Sequence, residues 1–348
     1  MPPAIIDKYL NPAGFLYGKT ARLAVEQGVG QRLAGGAVVF SQIESISISP
    51  VGEIEAEVGS LSDGDHDLSG ITRPCPDFAG LSVRRPLIMG IVNVTPDSFS
   101  DGGDHYDTGL AITRALEHAE AGADIVDIGG ESTRPGATKI PIADEIDRVL
   151  PVVEAAVDSG ICVSVDTRHV DVMQAAIEAG ASIINDVTAF TDDHQSLEIV
   201  AGSSAGIVLM HMQGTPKTMQ QAPAYRLASA DIYDWLSERV SVCIAAGIPL
   251  NRIAVDPGIG FGKNDWDNME ILNRAAIFHG LGCPVAIGVS RKSFIGRLAT
   301  VDDPKQRLPG TIAATLMALD RGVQIHRVHD VAEVKQAVSI WDAQSHNR

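Results

Sequence analysis

PLIMGIVNVTPDSFSDGG, residues 86–103, decides how the rest of the chain is read. Its apolar run, Leu87 to Val92, is too short for a typical helix and rich in branched residues. Pro86 precedes it and a polar segment containing Pro and Gly follows, the pattern of a buried parallel strand running into a loop. Asn93 stands where the strand ends and offers a neutral oxygen ligand or a hydrogen-bond donor to whatever lies above. Thr95, Asp97, Ser98, Ser100 and Asp101 give the loop more hydrogen-bonding groups than a plain turn needs, and Gly102-Gly103 give it freedom to move.

The same grammar repeats downstream. Apolar strand segments fall at 124–128, 161–165, 182–185, 206–210, 252–255, 284–288 and 324–328, after the first at 87–92. Helical stretches lie between them at 108–121, 142–159, 168–179, 229–246 and 311–321, with a last one at about 331–345. Gly122, Gly160, Gly180, Gly247 and Gly322 stand just past five of these helices, where a left-handed residue ends a helix. Eight strand–helix units in this length predict a (β/α)8 barrel rather than an open doubly wound sheet. No GxGxxG follows the first strand.

Upstream the pattern changes. Ala37–Phe40 is a short apolar run, residues 44–49 alternate with period two as a half-exposed strand does, and 51–58 is a candidate partner. Residues 59–80 read as a linker or irregular cover. The expected organisation is therefore a small β-rich extension, 1–85, of unassigned role, followed by the catalytic barrel, 86–348. With 45% hydrophobic residues in 348, the chain can bury a sizeable core. A net charge of −17 argues against nucleic acid or an anionic membrane as a partner, but not against a small anion held by a local basic cluster. The four cysteines are scattered without CxxC spacing, which argues against metal or redox use. No segment reads as a transmembrane helix or a signal peptide, so a cytoplasmic protein is expected.

In such a barrel, reactive groups gather at the C-terminal ends of the strands. Those ends supply Asn93; Asp127 and the loop from Gly129 to Gly136; Asp166; Asn185-Asp186; Met210-His211-Met212; Asp256-Pro257-Gly258; Ser290 to Ser293; and Arg327 to Asp330. Asp166, Asn185, Asp256 and Lys292 suit a flat heterocycle with several N–H groups: the carboxylates accept, the amide does both, and Lys donates. A structural salt bridge, Asp256 with Lys292, is the plain alternative. Arg134, Arg327 and His329 form a cationic group on an acidic protein and point to phosphate or pyrophosphate. Asn93 beside them fits a Mg²⁺ ligand. GFGK, residues 260–263, has the look of a phosphate loop but is too short for a P-loop; Phe261 there offers an apolar face to an aromatic ligand. Met210 and Met212 could floor the pocket or simply pack.

These residues closely resemble dihydropteroate synthase. GIVNVTPDSFSDGG (90–103) and GADIVDIGGESTRPGA (122–137) resemble that family's two signatures, and SVDT (164–167), INDV (184–187), LMHMQGTP (209–216), DPGIGFGK (256–263), SRKS (290–293) and RVHD (327–330) follow in its order. The resemblance spans roughly 86–345; the leading segment is longer than is usual in the family, and Asp267-Asn268 stands where many relatives have His-Asn. It implies condensation of 6-hydroxymethyl-7,8-dihydropterin pyrophosphate with p-aminobenzoate, with Mg²⁺ as cofactor and a homodimer as the assembly. The roles it implies are the pterin on Asp166, Asn185, Met210, Asp256 and Lys292; Mg²⁺ on Asn93; pyrophosphate on Arg134, Arg327 and His329. Thr133, Phe261 and Ser293 would contact p-aminobenzoate, with Phe99 and Pro135 closing over it. Asp166, Lys292, Arg327 and His329 are the residues expected to carry the chemistry. A corrinoid-type pterin-dependent methyltransferase would have no need of STRPG, SRKS and RVHD together. A silent pterin-binding protein would be expected to lack Asn93, Arg134, Lys292 or His329.

Overall fold

The structure, a computed structural model, describes residues 7–64, 66–95, 108–132, 140–215 and 218–346. The leading segment forms β1 (Asp7–Leu16), α1 (Gly18–Glu26), β2 (Gln31–Arg32), β3 (Val39–Ile48), β4 (Ile54–Ser60) and the single-turn α2 (Ser69–Thr72). The barrel follows as β5 (Leu87–Asn93), α3 (Thr108–Glu120), β6 (Ile125–Gly129), α4 (Ile142–Asp158), β7 (Val163–Asp166), α5 (Val170–Glu178), β8 (Ile183–Asp186), α6 (His194–Ala201) and β9 (Gly206–Met210). It continues with α7 (Ala228–Ala245), β10 (Ile253–Asp256), α8 (Asp265–Asn273), β11 (Ala286–Ile287), α9 (Ser293–Ala299), α10 (Leu308–Leu319), β12 (Ile325–Val328) and α11 (Val331–His346).

The eight barrel strands are parallel in the order β10-β9-β8-β7-β6-β5-β12-β11. A parallel bridge between Val255 and Val285, with Val255 N donating to Pro284 O at 2.9 Å, closes the ring. Side-chain alternation then sorts the core. Outward residues such as Val126, Ile128, Val163, Val165, Ile184 and Leu209 pack against the helices. Inward Leu87, Met89, Ile125, Ile183, Val208 and Ile325 fill the lower barrel around Phe78, which is fully buried. Phe78 lies in the stretch expected to be irregular cover, and it plugs the N-terminal mouth. A Cβ on Gly206 would lie 3.0 Å from its ring, so a side chain there would push on the plug. Above the apolar layers the inward positions turn polar, and the site begins there. The five glycines expected to end helices all adopt positive φ, between 74° and 97°.

β3 is the centre of the leading sheet, antiparallel to β1 on one edge and to β4 and β2 on the other. β1 and α1 were not anticipated from sequence, and β4 reaches Ser60, into the stretch read as linker. β1 carries Pro12 and Gly14, which break a strand pattern but are tolerated on an edge strand. Gly14 is left-handed, φ 63°, and drops out of the ladder while the register stays the same from Ala13↔Gln42 to Phe15↔Phe40; Ser41 Oγ donates to its carbonyl at 2.9 Å. The sheet shares the barrel's outer core: Val38, Phe40 and Ile43 pack with Val331, Val334, Val338 and Trp341 of α11. Polar ties add to this. Arg274 donates to both Glu44 carboxylate oxygens, at 2.6 and 2.9 Å, and Tyr9 Oη donates to Asp234 Oδ2 at 2.6 Å. Among the described residues no helix is long and apolar enough to cross a membrane.

Candidate active site

The strands deliver their last residues to one rim. Asp166 ends β7, Met210 ends β9, Asp256 ends β10, and Asn185 is the penultimate residue of β8. Arg327, on β12, reaches across the mouth: Nε donates to Asp127 Oδ2 at 2.5 Å and Nη2 to Asp166 Oδ2 at 2.7 Å. Asn185 Nδ2 donates to the same Asp127 oxygen at 3.3 Å. Asp127 is fully buried and thus orients an amide and a guanidinium together. Asp256 is 6% exposed, and its Oδ1 accepts from Gly258 N at 2.7 Å.

The other basic groups come from the turn after β11 and the end of β12. Arg291 sits at a left-handed φ of 58° and pairs through Nε with Asp330 Oδ2 at 2.9 Å; its amide donates to Thr311 Oγ1 at 3.0 Å. This anchored turn aims Lys292 inward, where its ammonium donates to the Ile259 carbonyl and lies 4.6 Å from the centre of the Phe261 ring. Lys292 therefore does not make the direct pair with Asp256 that the sequence allowed. Ser293 follows as the first residue of α9, with its side chain exposed. His329 N donates to Ser290 Oγ at 3.1 Å, and Ser290 Oγ lies 2.9 Å from His329 Nδ1. One hydroxyl thus holds both the backbone and the ring of His329.

Burial governs the charges here. Desolvation pushes the carboxyls of Asp166 and Asp256 above the usual range, opposed by the Arg327 guanidinium at Asp166 and by Lys292 at Asp256. Desolvation also brings the Lys292 ammonium down to about 8, with Asp256 holding it up. The result is a deep, partly desolvated set of acceptors and donors whose protonation responds near neutral pH. A cavity of about 460 Å³ lies at the other end of the barrel, lined by Leu33, Pro74, Cys75, Arg84, Gln324 and Trp341 among others. There Gln324 serves Val285 N and Trp341 Nε1 donates to Asp320, and none of the strand-end residues of the rim lines it.

A family model described as pterin binding enzyme matches residues 89–329. The dihydropteroate synthase of Escherichia coli is 44% identical over 264 residues, which is 76% of this chain and 93% of that one. The chain belongs to the dihydropteroate synthase family. A solved structure of the Xanthomonas albilineans enzyme with 4-aminobenzoic acid superposes with a TM-score of 0.72 at 46% identity, over 78% of this chain and 97% of that one. A Haloferax volcanii protein named as a probable bifunctional folylpolyglutamate synthase/dihydropteroate synthase is 41% identical over 309 residues, 88% of this chain and 35% of that one. That length exceeds the stretch from Pro86 to Arg348, so this likeness runs into the leading sheet.

Against the family's pattern, the barrel brings Asp166, Asn185, Met210, Asp256, Phe261, Lys292, Arg327 and His329 to one rim, with Asn93 ending β5 and Ser293 beside Lys292. Phe99, Thr133, Arg134 and Pro135 lie outside the described residues. Sequence reading placed Asp127 and Ser290 on the rim without a role; each orients a neighbour. It missed Asn268, which is fully buried and accepts from Gly260 N at 2.6 Å; the Asp-for-His difference falls on its neighbour 267. Asp267 caps α8, its carboxylate taking the Asn264 amide at 2.9 Å.

Proposed function

We propose that this chain joins 6-hydroxymethyl-7,8-dihydropterin pyrophosphate to p-aminobenzoate, forming 7,8-dihydropteroate and releasing pyrophosphate. The observation that carries this reading is the convergence of Asp166, Asn185, Asp256 and Lys292 on one desolvated rim. Two acceptors, one amide and one donor match a heterocycle that presents amino and ring N–H groups beside a carbonyl. Met210, 5% exposed, gives that ring an apolar surface. His329, held through Nδ1 by Ser290, and Arg327, whose Nη1 has no partner among the described residues, face the leaving pyrophosphate. Phe261 and Ser293 border the side where p-aminobenzoate enters, and Thr133, Arg134, Phe99 and Pro135 complete the reading from outside the described residues.

The reaction forms a C–N bond from the arylamine to the pterin's methylene carbon as the C–O bond to pyrophosphate breaks, and the amine then loses a proton to solvent. The free arylamine is already unprotonated near pH 7, so the protein's work is orientation and electrostatics. Asp166 stabilises positive charge spreading over the pterin and methylene carbon. Asn93 fits a Mg²⁺ ion as a single neutral oxygen donor: no carboxylate or histidine cluster for a stand-alone metal occurs among the described residues, and Mg²⁺ commonly shares its shell with water and substrate phosphates. Bound there, the ion would neutralise charge on the leaving group. Sulfonamides would compete as p-aminobenzoate mimics. A homodimer through the later helices and a cytoplasmic setting belong to the same reading.

The test is pyrophosphate release by purified protein with Mg²⁺ and the pterin pyrophosphate, with and without p-aminobenzoate, repeated for Lys292→Ala. Release that needs p-aminobenzoate and collapses in the variant is expected. Tight pterin binding without release would instead make the protein a silent binder.

A further inference from the structure

GFGK, residues 260–263, is bonded within the protein at two of its amides and two of its carbonyls. Gly260 N donates to Asn268 Oδ1 at 2.6 Å and Phe261 N to Gly258 O at 3.0 Å. The Gly260 carbonyl takes Gln220 Nε2 at 2.9 Å, and the Gly262 carbonyl takes Tyr225 Oη at 2.6 Å. What remains of the motif is Lys263, and it points inward rather than toward an anion. Only 1% of it is exposed. Its amine lies 2.8 Å from the Phe261 carbonyl, 3.0 Å from His211 Nδ1 and 3.4 Å from the His211 carbonyl.

Those partners belong to two loops. Phe261 and Lys263 follow β10, and His211 follows β9. The loops touch so closely that a Cβ on Gly258 would lie 1.9 Å from the His211 carbonyl oxygen. His211 is itself wedged edge-on against Trp235, with ring centres 5.0 Å apart, and burial brings its ring down to about 2, so it stays neutral. We propose that Lys263 is a positioning residue: its amine ties the Phe261 carbonyl to His211 and so fixes the Phe261 ring at the p-aminobenzoate subsite. This rests on the substrate reading above.

Either protonation state preserves the tie. Burial, with Lys292 nearby, pulls the Lys263 ammonium well below the usual lysine range. As an ammonium it has three N–H donors for three acceptors. As an amine it gives two to the carbonyls and accepts from Nδ1–H of the other histidine tautomer. The contribution is therefore geometric, and it should follow Phe261.

The experiment is steady-state kinetics on Lys263→Met, Phe261→Ala and the double variant, with thermal unfolding alongside. Lys263→Met should raise KM for p-aminobenzoate by about tenfold or more, while kcat and KM for the pterin pyrophosphate stay within about threefold. Phe261→Ala should do the same, and the double variant should be no worse than the worse single one, since an absent ring cannot be positioned. An unchanged p-aminobenzoate KM in either single variant, or losses that multiply in the double, would overturn the inference. A lowered Tm with wild-type KM values would also overturn it, leaving Lys263 merely structural. If Lys263→Met does not fold, His211→Leu replaces it under the same rules, with a KM rise of about threefold or more expected because both carbonyl bonds survive. A wild-type protein that shows no p-aminobenzoate-dependent release refutes the substrate reading before any variant is made, and the inference with it.

Discussion

Asp127→Asn removes one charge at nearly constant shape, and the structure says what that should cost. Asp127 is fully buried and receives Arg327 Nε at 2.5 Å and Asn185 Nδ2 at 3.3 Å on one oxygen, with Asn185 Nδ2 also 3.5 Å from the other. An asparagine keeps one acceptor oxygen and turns an amide nitrogen toward a donor. A hydrogen bond to a charged group contributes about 1.5–3 kcal/mol. Arg327 keeps its bond to Asp166 and is 23% exposed, so water absorbs part of the loss. The bond exists before substrate arrives, so urea unfolding of the free protein should show a loss of about 2 kcal/mol. Binding should weaken as well, because Asn185 and Arg327 would no longer be held in place and must be ordered by the ligand. Each such side chain costs about 0.5–1.5 kcal/mol to immobilise. Together that is about 2 kcal/mol, or about 30-fold in the dissociation constant of the pterin pyrophosphate. Isothermal titration measures it. A variant with unfolding free energy within about 0.5 kcal/mol of wild type and affinity within about twofold would refute the reasoning: Arg327 would then be held by Asp166 alone.

As an ammonium Lys292 offers the pterin a charged donor, and desolvation brings it down to about 8, so kcat/KM for the pterin pyrophosphate should fall as pH rises through about 8 and that charge is lost. Its effect on stability runs the other way. The unfolded chain binds this proton more tightly, so the penalty is full below about 8 and fades as pH approaches about 10.4; pH-dependent urea unfolding and a pH–rate profile check the two halves. Phe78→Ala should cost about 3–5 kcal/mol of stability by emptying the lower barrel, yet leave kinetics within about twofold below the new Tm, because the plug lies at the end opposite the rim. Loss of activity in a folded Phe78→Ala protein would mean that the two ends of the barrel are coupled.

The parallel strands were legible because each is buried on both faces, so Leu87–Val92 or Gly206–Met210 must read as an apolar run whatever its neighbours. Where the signal failed, a local residue hid it. β11 was expected over 284–288 but forms a ladder only at Ala286–Ile287; at its start Pro284 has no N–H to give and the Val285 amide is taken by the Gln324 side chain. β1 was invisible because Pro12 and Gly14 interrupt it, and an edge strand tolerates both. The site divides in the same way. Asp166, Asn185, Asp256 and Lys292 stood out as polar groups at the ends of apolar runs, which identifies a rim without saying who bonds to whom. Asp127 was equally visible, yet its work depends on Arg327, 200 residues away, and that of Lys263 on His211, 52 residues away. A titratable side chain in a buried strand or loop announces that it must have partners. Which partners it has is fixed only when the barrel closes, and at this rim the partner decides whether a residue holds substrate or holds the residue that does.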